Sequence, residues 1–356
     1  MVKYRIANKK DYEAINSFHN KIYSSNRTIK QFYWEFHYCP FGKSIYVIAE
    51  DKQKIIGTNC VIPIELIDSN NQIILSGKSE DTLVDPEYRG QNVFYNIYHV
   101  LFDLCKKNGI KVIWGFTSAK KPFKKLGFTI PFEHQQSIAV NKIFSSYRHL
   151  IGLNSKNKVL DKLKIFGLCL YSKSRVFIKN KNLLLEKYNI TVQEQIVEGI
   201  NDLIKSNLSN PSSLFYISQS NKFQKWRIYD NPNYHNIYTF GFYNDENILQ
   251  GLIIINSDRN KVGYISQSTF HASLDESVAV RMLKFATDNL FDLGIILIRN
   301  WQFNHNVLNR KESECFNKAN HVHLKKGISL VWKGLDGIDI RPEMFYLSRI
   351  ATQGLK

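Results

Sequence analysis

The chain has 356 residues, a net charge of +17, and 44% apolar and 13% aromatic residues. That length suits two globular domains with separate cores, and the composition excludes a disordered chain. No apolar run nears the roughly 18 residues needed to cross a bilayer. The charged start, MVKYRIANKKDYE, lacks the apolar stretch of a signal peptide, so a cytoplasmic location is expected.

In chain order, YRIA (4–7) reads as a short strand and Lys10–Tyr23 as a helix. A second helix is expected from about Thr28 to Tyr38. SIYVIAE (44–50) and KIIGTNCVIPIELI (54–67) are β-branched runs separated by a turn at Glu50–Gln53. IILSGKSEDTLV (73–84) is a further strand, ended by Asp85-Pro86. A helix follows whose face repeats at Val93, Ile97, Val100, Leu101 and Leu104, stopped by Asn108-Gly109. KVIWGF (111–116) reads as a buried strand, Ser118–Leu126 as a short helix, and Phe128 opens another strand.

Between Asn141 and Lys187 stand eleven Lys and Arg against two acids, more than half of the net charge. A helix is expected at 156–177, with Val159, Leu160, Leu163, Phe166 and Leu170 in one stripe among lysines. Such a stripe suits either peripheral contact with an anionic membrane or packing between domains. Packing is the expectation, because an amphipathic helix in a globular chain usually faces a core.

The second half echoes the first. WEFHYCP (34–40) and WRIYDNP (226–232) correspond at an offset of 192, and FKKLGF (123–128) and FNKANH (316–321) at 193. Between these lie strands at Ile237–Tyr243, Ile248–Asn256 and Val262–Phe270, a helix near Leu274–Leu293 and a strand at 295–300. Two copies of one α/β fold in tandem are expected. The expected boundaries are 1–140, a basic helical connector 141–187, a second domain 188–335 and a tail 336–356.

The five cysteines, Cys39, Cys60, Cys105, Cys169 and Cys315, form no CxxC pair, so neither a disulfide framework nor a zinc site is expected. His305, His321 and His323 lack carboxylate or cysteine partners at ligand spacing, so no metal is expected there.

The stretch VDPEYRGQNVF, Val84 to Phe94, carries the chemistry. A strand ends at Asp85-Pro86, Arg89-Gly90 permits a tight turn, and a helix begins near Gln91. The first N–H groups of that helix are unpaired and carry the positive end of its dipole. Gly90 lets backbone approach a bulky anion, and Arg89 adds a cation. A pyrophosphate fits there.

VDPEYRGQNVF, followed by a helix, a buried strand and SAKKPFKKLGF, resembles the acyl-CoA-binding core of the GNAT superfamily over about residues 1–140. The resemblance implies two GNAT-like domains, each a central mixed sheet flanked by helices. It implies an acyl-CoA-dependent N-acyltransferase that moves an acetyl or other acyl group to a small-molecule primary amine, such as an amino sugar. The implied cofactor-binding positions are Thr82, Leu83, Val84, Arg89, Gly90, Gln91, Asn92, Val93, Phe94, Ser118 and Phe123. Asn92 and Phe94 replace the family's two small residues, and Phe123 stands where many members carry a proton-donating Tyr. Lys120, Lys121, Lys124 and Lys125 are candidates for the 3′-phosphate of CoA.

Aminolysis of a thioester needs a base near the carbonyl. Glu80 and Asp81 lie on the strand entering the turn, and strand alternation lets only one face the substrate. Glu80 is the expected base, and backbone at Thr82–Val84 is expected to pair with pantetheine. Trp34 and His37 are candidates for the acceptor pocket, core packing and surface exposure being their ordinary roles. The second half offers no such turn: at HASLDESVAV, Asp275 and Glu276 cap a helix start and repel a pyrophosphate. One cofactor site per chain follows. An aminoacyl-tRNA-dependent transferase and a non-catalytic binding protein are the alternatives. No stable nucleic-acid partner is expected, and nothing in the sequence specifies an oligomeric state.

Overall fold

The computed structural model describes residues 1–68, 70–153, 158–176, 185–208, 214–335, 337 and 340–351. The parts of the expected connector at 154–157 and 177–184, and residues 336, 338–339 and 352–356 of the expected tail, lie outside these. The first half runs β1 (Lys3–Ile6), α1 (Tyr12–Tyr23), α2 (Ile29–Phe36), β2 (Ile45–Asp51), β3 (Lys54–Ile67) and β4 (Ile73–Val84). It continues with α3 (Val93–Lys107), β5 (Val112–Thr117), α4 (Lys120–Lys125), β6 (Glu133–Val140), α5 (Ile143–Gly152) and α6 (Val159–Val176). The second half runs β7 (Asn189–Gln193), α7 (Ile200–Ser206), β8 (Phe215–Ile217), α8 (Asn221–Gln224), β9 (Asn236–Tyr243) and β10 (Leu249–Ser257). It ends with β11 (Val262–Phe270), α9 (Glu276–Asp292), β12 (Leu297–Gln302), α10 (Val307–Lys318), β13 (Val322–Gly334) and β14 (Phe345–Tyr346).

These elements form two compact units that do not follow the linear boundaries expected from the sequence. One comprises Met1–Glu133, Ser212–Pro232 and Ile328–Phe345; the other comprises the rest. The first has strand order β1-β2-β3-β4-β5-β13, with β8 added beside β3. The second has the order β6-β12-β11-β10-β9-β7. Each unit thus ends its sheet with a strand from the opposite half of the chain. Ser329–Gly334 of β13 runs antiparallel to Thr117–Val112 of β5, and β6 runs antiparallel to β12. Strand alternation specifies which face is apolar but not which of two similar edges a strand joins, so the exchange has no sequence signature.

Local chemistry explains the elements that frame the first unit's site. Thr28 caps α2 through a capping box with Gln31, whose side chain accepts from Thr28 N at 2.7 Å. Helix α3 buries Val93, Ile97, Tyr98, Leu101 and Cys105 against the sheet and ends before Gly109, at φ 74°. The parallel pairing of β4 with β5 covers only Ser76–Lys78 against Val112–Trp114. Beyond it the two strands part.

Helix α6 departs from expectation. Its packed residues are Cys169 and Ser172, both fully buried, with half-buried Ile165 and Leu168 beside them. The expected core stripe instead faces outward: Val159 is 75% and Leu163 64% exposed, with Leu160 and Leu170 exposed beside them. Only Phe166 of the stripe packs, against Phe144 and Tyr147 of α5. The helix buries its small and mixed face because two elements, α5 and the sheet, already meet that side. Among the described residues, no helix is long and apolar enough to cross a membrane. All five thiols are buried.

Candidate active site

The parting of β4 and β5 opens a cavity of about 770 Å3 in the first unit. Ser79–Val84 of β4 form one wall, and Gly115–Thr117 of β5 the other. Arg89, Gly90 and Asn92 line it from the turn, and Val93, Phe94 and Tyr95 from the start of α3. Gly115 is required by the close approach of the walls, since a Cβ there would stand 2.8 Å from the Ser79 carbonyl oxygen. Ile22 and Tyr23 at the end of α1, and Phe116 and Thr117 on β5, also line the cavity. No motif marked them, because their place follows from the splaying of two strands.

The turn matches its expected form and shifts the helix start by two residues. Asp85 accepts a hydrogen bond from Glu87 N at 3.2 Å, opening a short 3-10 turn at Pro86–Tyr88. Gly90 sits at φ 83° and Asn92 at φ 60°, both left-handed, a region Gly and Asn tolerate best. Helix α3 begins at Val93 with no side-chain cap. Its first backbone bond is from Asn96 N to Asn92 O, which leaves the preceding N–H groups as free donors. Arg89 is exposed and, among the described residues, makes no ion pair. These are the groups an anion requires.

Phe94 does not obstruct the turn. Its ring packs against Tyr98 and Phe123, with centroids 4.9 and 5.4 Å away, and joins the aromatic core beneath α3. The Tyr98 hydroxyl lies 2.8 Å from Ser79 Oγ and 3.3 Å from Thr82 Oγ1, and burial pushes its pKa up to about 12. Of the expected cofactor positions, Thr82, Leu83, Val84, Arg89, Gly90, Asn92, Val93, Phe94 and Phe123 line the cavity. Gln91 turns back to the Glu87 carbonyl at 3.1 Å, and Ser118 is not on the wall, its neighbours Thr117 and Ala119 being there instead. Of the four lysines, Lys125 lines the cavity, while Lys120 is ion-paired with Glu133.

Strand alternation does not hold at Glu80 and Asp81: both line the cavity. The reason is a bulge. Cys60 pairs with Glu80 and Thr58 with Leu83, so β4 carries one extra residue there, with Asp81 at φ 50°. Asp81 is fixed by Arg27 Nη1 at 2.7 Å, the Tyr46 hydroxyl at 2.8 Å and His19 Nε2 at 3.5 Å. Arg27 in turn lies over the rings of Phe32 and Phe36. Asp81 is therefore committed to structure, whereas Glu80 faces the cavity with Lys78 Nζ, 2.5 Å away, as its one ion-pair partner among the described residues.

A second buried acid, Glu35 on α2, stands close enough to feel this pair. Burial raises its pKa to about 7, the charges of Glu80 and Asp81 add to the rise, and Lys78 and Arg227 oppose it. The expected acceptor residues are not on the cavity wall. Trp34 is buried against Trp226, and His37 packs among Tyr12, Tyr33 and Tyr38.

The second unit has a corresponding but smaller cavity, about 40 Å3, lined by Thr269 and Phe270 of β11, Glu276 and Ala279 of α9, and Glu312 of α10. Asp275 caps α9 by accepting from Ser277 N at 2.7 Å, so the helix's anion-binding position is filled by its own carboxylate.

A family model described as an acetyltransferase (GNAT) domain matches residues 3–130. No curated protein sequence matches the chain. Among solved structures, the chain is similar to a GCN5-related N-acetyltransferase from Anabaena variabilis, with TM-score 0.62 and 10% identity over 94% of this chain and 73% of that one. It is similar to Saccharomyces cerevisiae N-myristoyltransferase with bound myristoyl-CoA, with TM-score 0.60 and 10% identity over 99% and 84%. It is also similar to a tandem GNAT protein from the clavulanic acid biosynthesis pathway, with TM-score 0.57 and 9% identity over 95% and 100%. Residues 3–130 thus match the acetyltransferase (GNAT) domain model, and over nearly its whole length the chain has the fold of solved GNAT proteins, a tandem one among them.

Proposed function

We propose that the first unit transfers an acetyl or other acyl group from acyl-CoA to a small primary amine, an amino sugar being the acceptor class to test first. The observation that carries this reading is one cavity joining the uncapped start of α3 and the Arg89–Gly90 turn to the Glu80 carboxylate. Arg89 and the free N–H groups of α3 hold the pyrophosphate, and the β4 backbone at Thr82–Val84 holds pantetheine. When bound, the acyl-CoA supplies a thioester carbonyl as the electrophile. Glu80 takes the proton from the attacking amine, directly or through water, as the new C–N bond forms and the C–S bond breaks. Lys78 Nζ, paired with Glu80, holds that carboxylate in place at the cavity wall. Phe123 has no proton to give, so the departing thiolate takes one from water.

Titration calorimetry of acetyl-CoA into the wild type and Arg89→Glu tests the cofactor half. Binding reduced at least about tenfold by the charge reversal is expected; equal binding by both proteins, or none by either, overturns the reading. Thioester cleavage with an amine panel then tests Glu80→Gln, which should lose most turnover while still binding acetyl-CoA.

A further inference from the structure

The connector helices carry a surface that the acyl-transfer reading does not use. Along α6, Val159, Leu160, Leu163, Leu170 and Tyr171 are all exposed. At 100° per residue they fall on one face, opposite the packed Ile165, Leu168, Cys169 and Ser172. Phe144 of α5 is 70% exposed and packs beside Phe166 with the rings tilted, 6.0 Å between centroids, which extends the same face onto α5. A helix that packs against its own domain ordinarily buries its apolar side. This one presents it outward.

The borders of the face are cationic. Lys162 and Lys173 flank it on one side, and Lys164 and Arg175 on the other. Arg175 lies over the Tyr171 ring and donates to the Asn317 carbonyl at 3.1 Å, while Lys173 donates to Asn141 Oδ1 at 3.1 Å. Among the described residues, Lys158, Lys162 and Lys164 make no ion pair. Across the described parts of α5, α6 and their flanks, seven Lys and Arg face a single carboxylate, Asp161, which points toward the packed side. An apolar strip bordered on both sides by cations matches a surface that is anionic at its headgroups and apolar beneath.

We propose that the outward face of α6, extended by Phe144, docks the second unit onto an anionic lipid surface. The helix lies in the interface plane, with Leu160, Leu163 and Leu170 below the headgroups and the lysines at phosphate level. It does not cross the bilayer. Eighteen residues of helix span about 27 Å, enough to seat these anchors together.

Sedimentation of the full chain with phosphatidylcholine vesicles, with and without about 30 mol% phosphatidylglycerol, tests this. Binding to the anionic vesicles alone is expected, weakened at about 0.5 M salt, where the screening length falls to a few Å. Leu163→Asp, at an exposed site that leaves the fold's melting unchanged, should lower partitioning at least about tenfold, and Lys162→Ala/Lys164→Ala should lower it several-fold. Equal sedimentation with neutral vesicles, no sedimentation, or an unaffected Leu163→Asp overturns the proposal. So does a self-association that Leu163→Asp abolishes in the absence of lipid binding, which would assign the face to a second copy of the chain.

Discussion

Trp34 and Trp226 are joined by two reciprocal hydrogen bonds: Trp34 Nε1 donates to the Trp226 carbonyl at 2.6 Å, and Trp226 Nε1 to the Trp34 carbonyl at 2.7 Å. The two residues lie 192 apart, at the offset of the sequence echo, and both belong to the first unit. Trp226 reaches it on a π-helical turn, Lys225–Tyr229, and Arg227 from the same turn lies over both indole rings. A motif repeated in the sequence thus becomes a self-complementary pair in one core.

The pair predicts a stability effect that is not additive. Trp34→Phe leaves a buried carbonyl without its donor and a small void, costing about 2–3 kcal/mol. Trp226→Phe should cost a similar amount. Because they share partners, the double variant should cost less than the sum by about 1 kcal/mol. Urea denaturation of the four proteins measures this; strict additivity would show that the two bonds are not coupled.

The bulge at Asp81 makes a separate prediction. Arg27→Met removes the guanidinium that is 2.7 Å from the Asp81 carboxylate and leaves a buried charge with only Tyr46 and His19 beside it. A loss of about 3 kcal/mol is expected. Adding Asp81→Asn should recover part of it, since the amide carries no charge. Chemical melts decide the matter, and a double variant no more stable than Arg27→Met would refute the charge argument.

Much of this site can be read from residue types alone, and the remainder is invisible for identifiable reasons. The Arg89–Gly90–Asn92 turn is local: its left-handed residues are the ones that tolerate φ near 83° and 60°, so the sequence announces it. Glu80 and Asp81 mislead because a period of two holds only for an unbroken strand, and one inserted residue defeats it. Trp34 misleads because its partner arrives from 192 residues away. The outward stripe of α6 misleads because periodicity locates an apolar face without saying whether anything within the chain covers it.

Phe94 tests whether departure from the family's small residue matters to the ligand or to the core. Its ring is half-buried in contact with Tyr98 and Phe123. Phe94→Ala should therefore destabilise the protein by about 2 kcal/mol, with acetyl-CoA affinity changed by no more than about threefold. Calorimetric titration beside thermal melts separates the two effects. A large gain in affinity with unchanged stability would mean that the ring obstructs the turn after all.

Two buried acids give the stability a pH dependence with a definite sign. Burial first, then the charges of Glu80 and Asp81, raise Glu35 from 4.5 to about 7. Burial raises Glu312 from 4.5 to about 8, against hydrogen bonds from Ser268 and the Tyr346 hydroxyl. For both, the folded protein binds its proton more tightly than the unfolded chain does. Their contribution is therefore complete below pH 4.5 and is lost as pH rises, through about 7 for Glu35 and about 8 for Glu312. Glu35→Gln and Glu312→Gln cannot lose a proton, so each variant should gain stability relative to the wild type across its own window. The Glu312→Gln difference should still be widening between pH 7 and 8, where that of Glu35→Gln has begun to level off. Melting temperatures of the three proteins from pH 4.5 to 9, about one unit past the higher pKa, provide the measurement. Parallel curves would mean that these carboxyls ionise in the folded state as they do in the unfolded chain.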